Sequence, residues 1–168
     1  GLIRKAQMAV NVARWTSKRS ETPLRSSFPQ TLVLELNYPD ELDEALISDI
    51  YEVGQMKEGE DSWILKPSLC NQGSGIHIFD SLQSFRDIIE DPTNEDVREW
   101  IIQRYIRHPF LIDGRKFHLR VYVLSIGSLS LFVYRDVLSL FSLSPYNPHD
   151  LRDPAVHLTN TCFQKRSQ

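Results

Sequence analysis

The residues with the greatest chemical potential lie in "WILKPSLCNQGSGIHIF", residues 63–79. An apolar run there carries a single amine, Lys66. A loop with Gly73 and Gly75 follows before a second apolar run opens at Ile76. Lysine is rare inside an apolar strand unless it is paired or its head reaches water. Glycines at alternate positions let backbone N–H groups approach an anion closely. Together they suit a phosphate, with Lys66 as the point charge and residues 70–75 as a flexible cover. The stretch also fits an edge-strand lysine beside a hairpin loop. Its spacing is neither GxxxxGK[ST] nor GxGxxG.

Three further groups bear on the same chemistry. "IIQRYI" (101–106) sets Gln103 near the end of an apolar strand, where a flat base would find an apolar slot and a hydrogen-bond partner. In "RKFHLRVYV", Lys116, His118 and Arg120 alternate with apolar residues, so a strand would place all three on one face. Such a face suits an anion, although a solvated sheet face is the alternative. Arg135, in "VYRD", is expected on the partner strand beside it. "HLTN" (157–160) offers an imidazole, a hydroxyl and an amide in a segment that reads as too polar for a core.

These residues need elements to hold them. The chain has 168 residues, enough for one domain or two small lobes, and 41% hydrophobic residues supply a core. A net charge of −3 argues against a general nucleic-acid binder. No apolar stretch approaches the ~18 residues of a membrane span. Cys70 and Cys162 form no CxxC pair; a reduced, cytoplasmic protein is the default reading, and a disulfide between them stays open. The chain lacks an initiator Met and stops after "FQKRSQ", which reads as a fragment of a longer protein.

Apolar spacing at Ile3, Met8, Val12 and Trp15 predicts a first helix over about 3–18. "TLVLEL" reads as a strand. Asp40 is expected to cap one helix, "ELDEALISDIYEV", closed by Gly54. "SWILKP" and "GIHIF" read as strands. Ser81 is placed to cap "LQSFRDII", whose Leu82, Phe85, Ile88 and Ile89 share a face. "WIIQRYI" is a strand, and Asp113–Gly114 a turn. "KFHLRVYVLSIG" and "LSLFVYRDVLSLF" read as a long hairpin turning near Gly127. Helices and strands mix without regular βαβ alternation, so the fold class is α+β.

Separated motifs then fall into one order. "LIRK", "WILKP" with "GSGI", "IIQRYI", "LIDGRKFHLRVYVL", "LFVYRDVL", "SPYN" and "HLTNTC" run from one end of the chain to the other. In these the chain resembles the tubulin–tyrosine ligase-like family, whose domain has the ATP-grasp fold. The "KFHLR" form is most similar to the fungal branch, with P-body-associated members. The resemblance implies an N-terminal helix and linker (1–29), a central ATP-grasp lobe (30–108) and the first part of a C-terminal antiparallel sheet (109–168).

It also implies roles. Lys5 and Lys66 would contact ATP phosphates, with Gly73 and Gly75 closing over them. Gln103 would hydrogen-bond adenine, with the backbone of Arg104 and Ile106 beside Tyr105 forming the hinge. Lys116 and His118 would lie near the nucleotide. Arg120 and Arg135 would hold the γ-phosphate or acyl phosphate and the acceptor carboxylate. His157, Thr159 and Asn160 would line the phosphate end. The implied activity is ATP- and Mg²⁺-dependent ligation of a free amino acid to a protein's carboxylate, tubulin being one candidate acceptor. The alternative is a non-catalytic ligase-like scaffold in RNA granules. Two departures stand out. His118 occupies the position of an aspartate in the family's "KFDLR". The family's magnesium ligands, a Glu and an Asn, are expected beyond "HLTN", outside this sequence.

Overall fold

The computed structural model describes residues 4–70 and 73–160. Leu2, Ile3 and Cys162, which figure in the sequence reading, lie outside these. The described chain parts between Arg107 and His108 into two compact units.

The first unit is built on an antiparallel sheet of β1 (Thr31–Glu35), β2 (Trp63–Pro67), β3 (His77–Phe79) and β4 (Glu99–Arg104), in the order β1-β4-β2-β3. Gln103 lies opposite both Thr31 and Ile64, and Lys66 opposite Ile101. Strand alternation sends Leu34, Trp63, Leu65, Phe79, Trp100 and Ile102 to one face. There they pack with Leu42, Leu46, Ile50 and Val53, and with Phe85 and Ile89 of α5 (Leu82–Ile89). Phe79 and Phe85 stack at 4.8 Å. Ser81 caps α5 as its sequence predicts, accepting from the Ser84 N–H at 3.2 Å.

The other face of the sheet carries Thr31, Val33, Ile64, Lys66, Ile101 and Gln103. It is covered only in part by α1 (Lys5–Ser17). The residues of α1 that bury are Ala6 and Ala9, against Ile101 and Val33. Met8, Val12 and Trp15, expected to form the contact face, are half-buried or exposed. Two methyl side chains let the helix backbone lie close to the sheet, which larger residues would prevent.

The single helix expected over 41–53 is broken. After a short α2 (Leu24–Ser27), a 3-10 turn (Pro39–Glu41) leads into α3 (Leu42–Ile47), and α4 (Tyr51–Gly54) follows a bend. Asp40 caps neither helix. The bend turns fully buried Ile50 into the core, with its N–H donating to the Ala45 carbonyl at 2.9 Å. Gly54 is a point of close approach: a Cβ there would stand 2.4 Å from the Leu46 carbonyl oxygen.

In the second unit, β5 (Phe117–Arg120) pairs with β8 (Leu138–Phe141), and β6 (Val123–Ile126) with β7 (Ser130–Val133). The expected hairpin is therefore present but interrupted. Tyr134 donates its N–H to the Tyr122 carbonyl at 2.9 Å, while Arg120 faces Leu138. Val121 alone thus opposes residues 135–137, a bulge of two extra residues. The segment before "HLTN" closes in one helical turn, α6 (Pro154–His157), capped by the Asp153 carboxylate on the Ala155 N–H at 2.8 Å. Val156, His157, Leu158 and Thr159 are all buried. The expectation that this segment is too polar for a core is overturned. Hydrogen bonds to His157 and Thr159, described below, make their burial tolerable.

Candidate functional site

On the open face of the first unit's sheet, the Lys66 ammonium donates to the Gln103 side-chain carbonyl at 2.8 Å. The Gln103 amide N–H₂ donates to the Thr31 hydroxyl at 2.9 Å, and that hydroxyl donates to the Pro29 carbonyl at 2.8 Å. The run crosses three strands, β2, β4 and β1. Burial holds the Lys66 amine below its usual range, and the positive charge of Lys5 lowers it further. Half-buried Ile64 and Ile78 extend the same face on the β2–β3 side. A partly desolvated cation beside an amide and an apolar shelf is a donor set that fits a nucleotide phosphate and base.

Lys5, at the start of α1, uses its ammonium differently. It donates to the carbonyls of Pro67 (2.9 Å), Ser68 (3.4 Å) and Cys70 (2.6 Å). The Ala6 N–H adds a bond to the Ser68 hydroxyl at 3.3 Å. Burial lowers the Lys5 pKa, and the nearby Cys70 partly offsets it. The helix N-terminus is thus tied to the chain leaving β2 toward the glycine loop. In that loop Gly73 and Gly75 have φ of 81° and 66°. At Gly75 a Cβ would also meet the Pro67 ring at 2.8 Å.

The segment leaving β4 is fixed by its neighbours. Arg104 donates its N–H to the Gln30 carbonyl at 2.8 Å, and Tyr105 donates to Ser62 at 2.9 Å. The Arg104 guanidinium pairs with Asp61 and lies over the Trp63 ring, 4.5 Å from its centroid. Tyr105 is buried and Ile106 exposed. Of the two residues assigned hinge contacts, Arg104 thus has its N–H already engaged.

In the second unit, the register of β5 sets Phe117 against Phe141, the rings stacking at 5.6 Å. His118 points the other way and meets Thr159, Nδ1 to Oγ1 at 2.5 Å. Burial holds His118 below its usual pKa, and Arg120 lowers it further. Buried His157 sits edge-on to the Tyr146 ring at 5.7 Å, and its Nε2–H donates to the Asp150 carbonyl. Its pKa is lowered chiefly by burial, with Lys116 contributing, against the opposing Asp150 and Asp153. Lys116, His118, Arg120, His157 and Thr159 are therefore brought together, with Asn160 half-buried at the end. Arg135 is not: it stands in the bulge, its side chain 91% exposed and 3.5 Å from Asp136.

Sequence reasoning missed Thr31 and Arg115. Alternation in "TLVLEL" puts Thr31 and Val33 on one face, but only the β1–β4 register sets Thr31 against Gln103. Arg115 donates to the carbonyls of Ser142 and Leu143 at the end of β8. Among the described residues no group of three or more His, Cys, Asp or Glu could hold a metal ion. Nor is any described helix long and apolar enough to cross a membrane.

This mixed α+β architecture is that of an ATP-grasp domain. It matches the crystal structure of the C-terminal domain from K. lactis Pby1, described as an ATP-grasp enzyme interacting with the mRNA decapping enzyme Dcp2. The TM-score is 0.60 at 33% identity, covering 87% of this chain and 40% of that one. The chain belongs to the tubulin-tyrosine ligase family, whose sequence profile matches residues 2–168. It is 31% identical over 210 residues to the probable tubulin–tyrosine ligase PBY1 of Saccharomyces cerevisiae, covering 99% of this chain and 28% of that protein. It is 32% identical over 200 residues to the probable tubulin–tyrosine ligase C12B10.04 of Schizosaccharomyces pombe, covering 97% and 49%. The chain spans less than half the length of each of these three.

Proposed function

We propose that this chain supplies the nucleotide-binding part of an ATP-dependent carboxylate–amine ligase that joins an amino acid to a protein carboxylate. The observation that carries the reading is the Lys66–Gln103 pair on the open sheet face. A cation held partly out of water gains the most from a phosphate, since its lost hydration is then replaced by a charge-assisted bond. Lys66 would hold phosphate, Gln103 would meet the adenine edge, and Gly73 and Gly75 would let the loop backbone approach. Lys5 would act on that loop through the carbonyls it binds, and on phosphate once released from them. Ile106 and the carbonyl side of Arg104 would border the base.

In the reaction a carboxylate oxygen of the acceptor protein attacks the γ-phosphorus, the bond to ADP breaks, and an acyl phosphate forms. The amino acid's amine then attacks the acyl carbon, inorganic phosphate leaves and the amine loses a proton. Negative charge builds at each step, and cations set in place beforehand stabilise it. Lys116, Arg120 and Arg135 would serve there, with His118, Thr159 and Asn160 bordering the phosphate. His157, held by Asp150 and Tyr146, would position that segment rather than touch substrate. Magnesium, when bound, would add positive charge at the phosphates; among the described residues no group of three or more His, Cys, Asp or Glu could hold it.

His118 supports a second reading. An imidazole in place of the family's aspartate suits a ligase-like scaffold that keeps the fold. The K. lactis neighbour, described as interacting with Dcp2, makes an mRNA-decay assembly and its cytoplasmic granules the setting to test. Two measurements separate the readings. A ligase binds ATP and releases ADP as labelled amino acid enters a protein acceptor such as tubulin. A scaffold incorporates no label and still captures its partner.

A further inference from the structure

The run Lys66–Gln103–Thr31–Pro29 has a polarity that its chemistry dictates. Lysine has only N–H donors, so the Gln103 atom that faces Lys66 must be its carbonyl oxygen. The amide N–H₂ then faces Thr31, whose hydroxyl must accept. The single hydroxyl hydrogen is committed to the Pro29 carbonyl, which can only accept. A flipped Gln103 would set its carbonyl against a hydroxyl with no hydrogen to spare. The order of the sheet gives this polarity a direction. Gln103 lies on β4, between β1 with Thr31 and β2 with Lys66. Lys66, Ile64, Ile78 and the glycine loop all lie on the β2–β3 side. A nucleotide whose phosphates engage Lys66 therefore meets the carbonyl edge of Gln103, an acceptor.

We propose that Thr31 is a positioning residue that sets base selectivity: it locks the Gln103 amide with its carbonyl toward the base, so that a purine bearing a 6-amino donor is accepted and a 6-oxo purine is rejected. The inference rests on the nucleotide reading above. Thr31 matters most once phosphate is bound. Lys66 then turns its donors to phosphate, and the Thr31 hydroxyl alone keeps the amide from rotating. A 6-oxo purine would set two acceptors face to face, which is how a hydrogen-bonding site discriminates strongly.

The test is isothermal titration of the full-length protein with ATP and with GTP in the presence of Mg²⁺, for wild type, Thr31→Val and Thr31→Ser. Valine keeps the shape and removes the hydroxyl. Wild type is expected to prefer ATP. Thr31→Val should lower ATP affinity about fivefold, the loss of one neutral hydrogen bond, and leave GTP affinity unchanged or higher. Thr31→Ser should restore the wild-type ratio. If Thr31→Val weakens ATP and GTP by the same factor, or neither, Thr31 does not set selectivity and the inference fails alone. If wild type binds neither nucleotide, the nucleotide reading fails and takes the inference with it.

Discussion

Lys66 and Gln103 sit on adjacent antiparallel strands, two register positions apart on the same face, and are joined by a 2.8 Å hydrogen bond. Replacing Lys66 by Ala removes a charge-assisted phosphate contact worth roughly 1.5–3 kcal/mol. ATP affinity should fall about ten- to a hundredfold. The melting temperature should hardly move, because the variant also relieves a partly buried charge. A lowered melting temperature with unchanged affinity would make Lys66 a structural residue. Nucleotide binding should also raise the Lys66 pKa back toward 10.5. Titration in buffers of different ionisation enthalpy should then detect proton uptake at alkaline pH.

His118 faces Thr159, and its pKa is lowered by burial and by Arg120. The substitution His118→Asp restores the family residue and keeps an acceptor for the Thr159 hydroxyl. It should strengthen nucleotide binding in the presence of Mg²⁺ and make it more dependent on the metal. Titration with and without Mg²⁺ checks this. No change in either quantity would put position 118 outside the site.

Burial is the chief cause that lowers the pKa of His77, His118 and His157 from the ordinary 6.5. Above 6.5 both folded and unfolded chains carry them neutral, and their contribution is fully present. As pH falls from there through the folded values, the unfolded chain binds more protons and stability is lost. Thermal unfolding should therefore show a melting temperature that declines from about pH 7 to about pH 5. His77→Phe should flatten that slope.

Alanine in place of glycine within a helix ordinarily stabilises, by about 1 kcal/mol. At Gly54 the sign should reverse, since the new methyl would meet the Leu46 backbone carbonyl and cannot push it aside cheaply. Destabilisation of about 1–3 kcal/mol is expected from the forced separation of α3 and α4. Urea unfolding of Gly54→Ala measures it.

Arg135 stands in the two-residue bulge, its side chain exposed and 3.5 Å from the adjacent Asp136. Arg135→Ala should leave the melting temperature and ATP affinity unchanged, because an exposed neighbour pair adds nothing measurable. If the arginine holds the acyl phosphate or acceptor, amino-acid incorporation should fall while ATP binding persists.

What was legible in the sequence follows from local rules. Apolar runs marked the strands around Lys66 and Gln103, and period-2 alternation put Lys116, His118 and Arg120 on one face. Ser81 announced the start of α5 through the hydroxyl its N-terminal N–H groups require. Motif order pointed to the family, and the family profile matches residues 2–168.

Tertiary structure decided the rest, for reasons a local pattern does not contain. The helix over 41–53 breaks because Ile50 must reach the core and Gly54 must pass Leu46. The first helix docks on Ala6 and Ala9, since close approach to the sheet favours the smallest side chains over the most apolar ones. Thr159 buries because a partner distant in sequence satisfies it: His118, 41 residues away. Thr31 joins Gln103 across 72 residues through strand register alone. The sequence by itself determined which residues could do chemistry and which elements carry them. Only the pairing of strands decided which of those residues meet, because a hydrogen bond depends on distance in space and the chain records only distance along itself.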